Sequence, residues 1–204
     1  MPIKVTIFSD FVCPFCFVGS GIIDRLRQDF DILDTWLPHE LHPETPPEGR
    51  PLDDLVDRFD LDQVIMTCNQ RGKPYGIEFA RAEILFNSRL SLEAAEFARD
   101  AGRYHDFHGR MFRAGFTEGR NIGDMAVVLD VAARTGLDPD PLKQALIDHR
   151  YAARVAEGSI KAKEAGVTAL PTFIVEGQPR ITGAVDESVI RKALQEAREA
   201  IKPQ

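Results

Sequence analysis

The chain is predicted to adopt an α/β fold in which a helical domain interrupts a smaller α/β unit. A strand, a helix and a second strand follow one another near the N-terminus, helical periodicity dominates the middle, and a helix, two short strands and a helix close the chain. With 204 residues and 44% hydrophobic content, the chain can fill a sizeable core. No internal repeat or low-complexity segment suggests another architecture.

The N-terminal elements form a βαβ unit. Residues 3–9 are a short apolar run typical of a buried strand, residues 15–29 have apolar side chains at helical spacing, and residues 32–41 return to a strand pattern. The stretch 42–51 contains four prolines and cannot sustain a helix or a central strand. We therefore expect it to connect this unit to the next domain.

The middle of the chain, about residues 51–150, has apolar residues three and four positions apart and several glycine-containing breaks, which predicts a set of amphipathic helices. Beyond it, residues 141–165 predict a long helix that is kinked or interrupted. Two short strands follow at 172–175 and 180–182, and a final helix at 186–200.

This order of elements predicts a thioredoxin fold with an inserted α-helical domain. The thioredoxin-like domain is assigned to residues 1–45 and 150–204, and the inserted helical domain to residues 46–149.

The most informative motif is Cys13-Pro14-Phe15-Cys16, which follows the first strand and begins the first helix. A helix N-terminus carries partial positive charge and unpaired N–H groups, so we expect Cys13 to ionise more readily than a free cysteine. Cys16 lies one turn further along and can close a ring with Cys13, which resolves a mixed disulfide formed there. The motif predicts a two-thiol redox centre.

Two other interpretations of the motif are weaker. A zinc site needs two further ligands at suitable spacing, and the third cysteine, Cys68, has no such partners nearby, so no metal is expected. A pair of buried structural cysteines is the second alternative. It is disfavoured because strand, motif and helix occur together as a redox centre requires.

Composition limits the partners. The net charge of −7 and the absence of a basic run argue against nucleic acid, and no apolar stretch is long enough to span a membrane. The first strand begins at Ile3, which leaves no room for a secretory signal, so we expect a cytoplasmic protein. Three cysteines in that compartment favour a catalytic pair over a structural disulfide.

Three segments carry a family resemblance: residues 9–19, which contain the motif, residues 166–173, with the sequence Gly-Val-Thr-Ala-Leu-Pro-Thr-Phe, and Thr182-Gly183-Ala184. Together they resemble the DsbA-like thioredoxin superfamily, and most closely its FrnE-like cytoplasmic branch. That branch is similar in length and in its inserted helical domain, so the resemblance covers essentially the whole chain.

The resemblance implies a dithiol-disulfide oxidoreductase with Cys13 as the attacking thiol and Cys16 as the resolving thiol. It also implies that Pro171 is a cis-proline lying against the pair, and that Leu170 offers backbone hydrogen bonds to an extended substrate. Periplasmic members often hold a histidine between the cysteines. Here Pro14 and Phe15 supply no cation, so a milder potential is expected.

The expected partner is a protein or small molecule containing a disulfide or a thiol, and the substrate-binding residues are predicted to be Pro14, Phe15, Leu170 and Pro171. No cofactor is expected beyond the redox-active pair, with glutathione as a candidate co-substrate. Two alternatives stay open. One is a glutathione-dependent isomerase or transferase similar to 2-hydroxychromene-2-carboxylate isomerase and the kappa-class transferases, and the other is a peptide-binding module without turnover.

The sequence also predicts the environment of several other residues. Cys68 is expected to be a partly buried structural thiol, because free cysteine behaves as a small hydrophobe. Asp10 can raise or lower the reactivity of Cys13 according to its distance. Phe11 and Phe15, in the turn around the motif, are expected to be exposed and to form an apolar docking surface. His108 is expected at the surface or in a cap.

Overall fold

A computed structural model describes residues 1–55 and 60–201. Its main sheet has four strands in the order β2-β1-β5-β6: β1 (Ile3–Ser9), β2 (Ile32–Pro38), β5 (Thr172–Val175) and β6 (Ile181–Thr182). The central strand β1 runs parallel to β2 and antiparallel to β5, and β6 pairs antiparallel with β5. Helix α1 (Pro14–Leu26) connects β1 to β2, as a parallel pair requires.

Between β2 and β5 the described chain is mainly helical. A small two-stranded sheet pairs β3 (Arg50–Pro51) with β4 (Ile84–Leu85). The longer helices between β2 and β5 are α2 (Leu61–Gly72), α3 (Arg89–Asp100), α4 (Tyr104–Phe116), α5 (Met125–Arg134), α6 (Pro139–Ile147) and α7 (Ala152–Glu164), and α8 (Glu187–Ile201) follows β6. Among the described residues, no helix combines the length and the apolar character needed to cross a membrane.

The predicted long helix at 141–165 is two helices, α6 and α7. The chain turns at His149, whose φ of 50° lies in the left-handed region, and the Arg150 N–H donates to the Ala145 carbonyl across the turn. This six-to-one hydrogen bond closes the end of α6 and prevents the helix from continuing. The four predicted strands are present; β2 ends at Pro38 instead of residue 41, and the last strand begins at Ile181 instead of residue 180.

The buried apolar residues fall into two clusters. We call the first the sheet-side core; it contains fifteen aliphatic and aromatic side chains, including Ile7, Ile23, Trp36 and Ile190. The second, the helical-side core, contains Cys13 and Cys16 together with side chains of α3 to α7 such as Phe107 and Phe112.

Helix α7 packs against both α3 and β2, so the two parts of the chain are in contact there. The division at residues 45/46 and 149/150 stays a prediction. Residues 56–59, within the predicted helical domain, and residues 202–204, at the end of the predicted thioredoxin-like domain, lie outside the described residues.

Candidate active site

The motif begins helix α1 at the end of the central strand. After β1, a tight turn is closed by the Cys13 N–H, which donates to the Asp10 carbonyl at 3.1 Å. Cys13 has extended backbone geometry and is the N-cap of α1, while Pro14 occupies the first turn, where its missing N–H costs nothing. The Cys13 Sγ accepts the Cys16 N–H at 3.3 Å. The two residues therefore lie one helical turn apart, as the sequence predicts.

Both thiols are free and both are buried, but not equally. Cys13 keeps 3% of its surface exposed, whereas Cys16 is fully enclosed. Cys13 is therefore the less enclosed residue of the pair. This inequality fits the assignment of Cys13 as the attacking thiol.

The prediction that Cys13 ionises easily is wrong for this structure. Burial raises the pKa of the Cys13 thiol well above its ordinary value, and hydrogen bonding and charge repulsion with Cys16 act in the same direction. The Cys16 N–H at the helix N-terminus lowers the pKa but does not offset burial. The sequence showed the helix N-terminus but not how deeply Cys13 is enclosed.

Asp10 is a fully buried residue three positions before Cys13. Its Oδ2 accepts the Leu41 N–H at 2.7 Å, and its Oδ1 accepts the Val12 N–H at 3.4 Å. Burial raises the pKa of Asp10 to about 6, although hydrogen bonds from Ser88, Leu41 and Val12 lower it. Its charge in turn raises the pKa of Cys13. The sequence left open whether Asp10 makes Cys13 more or less reactive, and the raised Cys13 pKa indicates that it makes Cys13 less reactive.

The second predicted segment lies beside the motif helix. The Leu170–Pro171 peptide bond is cis, both residues are buried, and Leu170 belongs to the same core cluster as the two cysteines. Helix α1 approaches this segment at Gly19: a Cβ there would stand 3.4 Å from the Pro171 Cγ and 3.0 Å from the Phe173 Cζ. A larger residue at this position would push the helix away from Pro171.

The remaining predicted substrate-binding residues, Pro14 and Phe15, are partly exposed on the first turn of α1. Phe11 was expected beside them at the surface but is buried. Its ring packs edge-to-face on Phe112 at 5.0 Å and lies 5.4 Å from the His108 ring. The predicted exposed surface around the motif therefore loses Phe11, because the ring fills a gap between the motif and α4.

His108 is also buried, against its expected surface position. Its ring lies 4.5 Å from Trp36 of β2 and 4.8 Å from Phe112, and burial holds its pKa well below the usual range. The imidazole is therefore neutral at physiological pH and acts as an aromatic packing element between the sheet and α4.

Cys68 lies on α2, away from the pair in sequence, and is fully buried, where the sequence predicted a partly buried thiol. Burial raises the pKa of its thiol to about 12. It lines a cavity of about 360 Å³ whose wall also contains Val12 and Pro14, the residues on either side of Cys13. No sequence signal indicated this cavity, because its walls come from α2, the segment 79–86 and α4, which only the tertiary fold brings together.

Within the described ranges, no cluster of three or more His, Cys, Asp or Glu side chains is arranged to hold a metal ion. The chemistry that the arrangement can perform is thiol chemistry at Cys13 and Cys16. The sequence indicated Asp10 but not its burial, and it did not indicate the apolar cavity beside the pair.

Comparisons with solved structures agree with this architecture. A probable DsbA oxidoreductase, SCO1869, from Streptomyces coelicolor has a TM-score of 0.88 at 20% identity, over 99% of this chain and 92% of that one. A 2-hydroxychromene-2-carboxylate isomerase has a TM-score of 0.81 at 19% identity, over 97% of each chain. The cytosolic disulfide reductase DsbM from Pseudomonas aeruginosa has a TM-score of 0.68 at 16% identity, over 97% of this chain and 96% of that one. At these identities the likeness shows the fold.

Sequence comparison reaches further. The chain is 32% identical over 198 residues to the uncharacterized protein YwbO of Bacillus subtilis (strain 168), covering 95% of this chain and 96% of that protein. The model of the DsbA-like thioredoxin domain matches residues 4–195. With its two cysteines at the start of α1, its four-stranded sheet and this match over nearly its full length, the chain belongs to the family of DsbA-like thioredoxin domains.

Proposed function

We propose that the protein is a thiol-disulfide oxidoreductase that works through the Cys13-Cys16 pair. The observation that carries the proposal is the unequal burial of two thiols one turn apart, with Cys13 slightly exposed and Cys16 enclosed. Membership of the DsbA-like family supports thiol chemistry of this kind.

In the reducing direction, Cys13 loses its proton to water and its thiolate attacks one sulfur of a substrate disulfide. A Cys13-substrate mixed disulfide forms and the other substrate sulfur leaves as a thiolate. Cys16 then loses its proton and attacks the Cys13 sulfur, which releases the second substrate thiolate and leaves a Cys13-Cys16 disulfide. Two electrons pass from the protein to the substrate, and a low-molecular-weight thiol such as glutathione restores the dithiol.

The raised pKa of Cys13 fits a pair that is largely protonated at neutral pH in its resting state. In this mechanism the substrate approaches over Pro14 and Phe15, and the Cys13 thiolate is needed when the substrate disulfide makes contact. We assign substrate contact to these two residues and to the Leu170-Pro171 segment beside α1.

Glutathione as co-substrate and a cytoplasmic location are part of the proposal. A DsbM structure that shares this fold is described as cytosolic and as containing GSH, which supports both points by likeness.

The test is to equilibrate the protein in glutathione redox buffers and to quantify the Cys13-Cys16 disulfide by mass spectrometry. We expect a reversible two-electron transition in the wild type, and a glutathione adduct on Cys13 when Cys16→Ser removes the resolving thiol. Cys68→Ser is the matched control and is expected to leave the transition in place. Absence of a reversible disulfide in every buffer would contradict the proposal.

A further inference from the structure

The cavity beside the motif is lined by the residues that directly precede and follow Cys13 in the sequence. Val12 and Pro14 line it, and Cys13 lies between them without lining it. A molecule held in the cavity therefore rests against the turn that presents Cys13.

The lining of the cavity is overwhelmingly apolar. Among the side chains that form it, the charged ones are Arg81 and Glu83, which are exposed. The apolar side chains that line it include Phe11, Leu52, Leu61, Val64, Ile65, Phe79, Ile84, Leu85, Phe86, Phe116 and Ile122. A tripeptide such as glutathione carries several charges and would lose their hydration in such a site, so the cavity suits a neutral apolar group.

The size of the cavity sets an upper limit on that group. A cavity of about 150 Å³ lined by aliphatic and aromatic side chains can hold one benzene ring. The present cavity, about 360 Å³, falls at the small end of the range for small-molecule sites. It has room for an apolar group of one or two rings, whereas a polypeptide could place only a side chain in it.

We propose that this cavity binds the apolar part of a small organic disulfide and so delivers one of its sulfurs to Cys13. The inference rests on the proposed oxidoreductase function and narrows its substrate to a neutral, aromatic or branched aliphatic disulfide. The reaction is R–S–S–R plus the reduced protein, giving two R–SH and the Cys13-Cys16 disulfide. A single turnover needs no other reductant.

Cys68 also belongs to the cavity wall, which makes it a built-in reporter. Unlike Cys13, it has no second cysteine one turn away, so a mixed disulfide formed there is not resolved into an intramolecular disulfide. The chain has three cysteines, so a Cys13→Ser/Cys16→Ser variant leaves Cys68 as the single thiol. Its alkylation rate then reports cavity occupancy without any redox chemistry.

The first experiment measures single-turnover reduction of dibenzyl disulfide and of glutathione disulfide by the pre-reduced protein. We expect Ile65→Trp, which fills the cavity from α2, to lower the ratio of the dibenzyl disulfide rate to the glutathione disulfide rate about tenfold. Gln63→Trp places the same ring on an exposed position of α2 outside the cavity and is expected to leave the ratio unchanged. Equal ratios in the wild type and Ile65→Trp would overturn the proposal.

The second experiment separates failure of the cavity from failure of the enzyme. In the Cys13→Ser/Cys16→Ser variant, dibenzyl sulfide, a thioether that cannot exchange, is expected to slow alkylation of Cys68 in a saturable way. Adding Ala82→Phe, which fills the cavity from the segment 79–86, is expected to remove the protection. Protection without disulfide reduction would refute the oxidoreductase function alone. Reduction of both disulfides without protection would refute the cavity as the substrate site.

Discussion

The two cores of the molecule differ in what they contain. The sheet-side core is built from aliphatic and aromatic side chains, and its described members include no cysteine. The helical-side core contains both cysteines of the motif, the buried Asp10 lies close to it, and the buried His108 packs between it and Trp36 of the sheet-side core. The chemistry is therefore concentrated where the motif meets the helices, while the sheet provides a rigid base. We infer from this difference that the helices between β2 and β5 influence the reactivity of the thiols in addition to shaping a cleft.

If the helical-side core alone controls the thiols, a cavity-forming substitution there should change the reactivity of Cys13, whereas one in the sheet-side core should not. Phe112→Ala, in the helical-side core, and Ile190→Ala, in the sheet-side core, should each lower the free energy of unfolding, by about 3 to 5 and about 2 to 5 kcal/mol respectively, because both side chains are fully buried. Only Phe112→Ala should also speed alkylation of Cys13, since Phe112 packs on Phe11 beside the motif. Urea unfolding and alkylation followed by peptide mass spectrometry measure the two effects. Faster alkylation in Ile190→Ala would contradict the distinction.

Titration of Asp10 should show whether a buried acid near the helical-side core lowers the free energy of unfolding. Its pKa is about 6 in the fold against 3.8 for an ordinary aspartate, so the folded state holds the proton more tightly. The resulting stabilisation is fully present below pH 3.8 and is lost as the pH rises through about 6. Over that range the wild type should lose about 3 kcal/mol relative to Asp10→Asn, which does not titrate. Urea unfolding of both proteins from about pH 3.5 to about pH 7 measures the difference, and parallel profiles would show that Asp10 ionises normally.

The contact between α7 and β2 tests how closely the two regions must fit. A Cβ at Gly158 would overlap the carbonyl oxygen of Pro38, so Gly158→Ala should lower the free energy of unfolding by about 1 to 3 kcal/mol. Gly109→Ala is the matched control, because a Cβ there meets nothing within 4 Å and the helix α4 gains stability of roughly 0.5 to 1 kcal/mol. Thermal or urea unfolding distinguishes the two. A neutral Gly158→Ala would mean that α7 can move away from the sheet freely.

The smallest expected effect concerns the charge of Asp10 on Cys13. That charge contributes least among the causes that raise the Cys13 pKa, so Asp10→Asn should speed alkylation of Cys13 at neutral pH only a few-fold. The alkylation rate of Cys68 in the same protein is the internal control and should not change. A slower Cys13 in the variant would reverse the assigned direction of the interaction.

Much of the fold could be predicted because its signals are local. The boundaries of β1 and β5 and the position of the motif at the start of α1 follow from apolar periodicity and from proline, whereas the break between α6 and α7 lies at His149 and carries no glycine or proline signal. The depth of Cys13 could not be predicted, because Cys13 belongs to a core cluster that includes Phe11 and Phe112, which are 101 residues apart in sequence and meet only in the fold. The cavity escaped prediction for the same reason: its walls are distant segments, each of which resembles an ordinary core element.

The burial of the two thiols also bears on how long the protein survives oxidative stress. Peroxide attacks the thiolate form of an accessible cysteine, and the sulfinic and sulfonic acids that follow are essentially irreversible products. Cys13 is 3% exposed with a raised pKa, and Cys16 is enclosed one turn away, where we expect it to convert a sulfenic acid at Cys13 into a disulfide. On the proposed function, we therefore expect the enclosure to protect the pair, because oxidation then ends at a reducible disulfide.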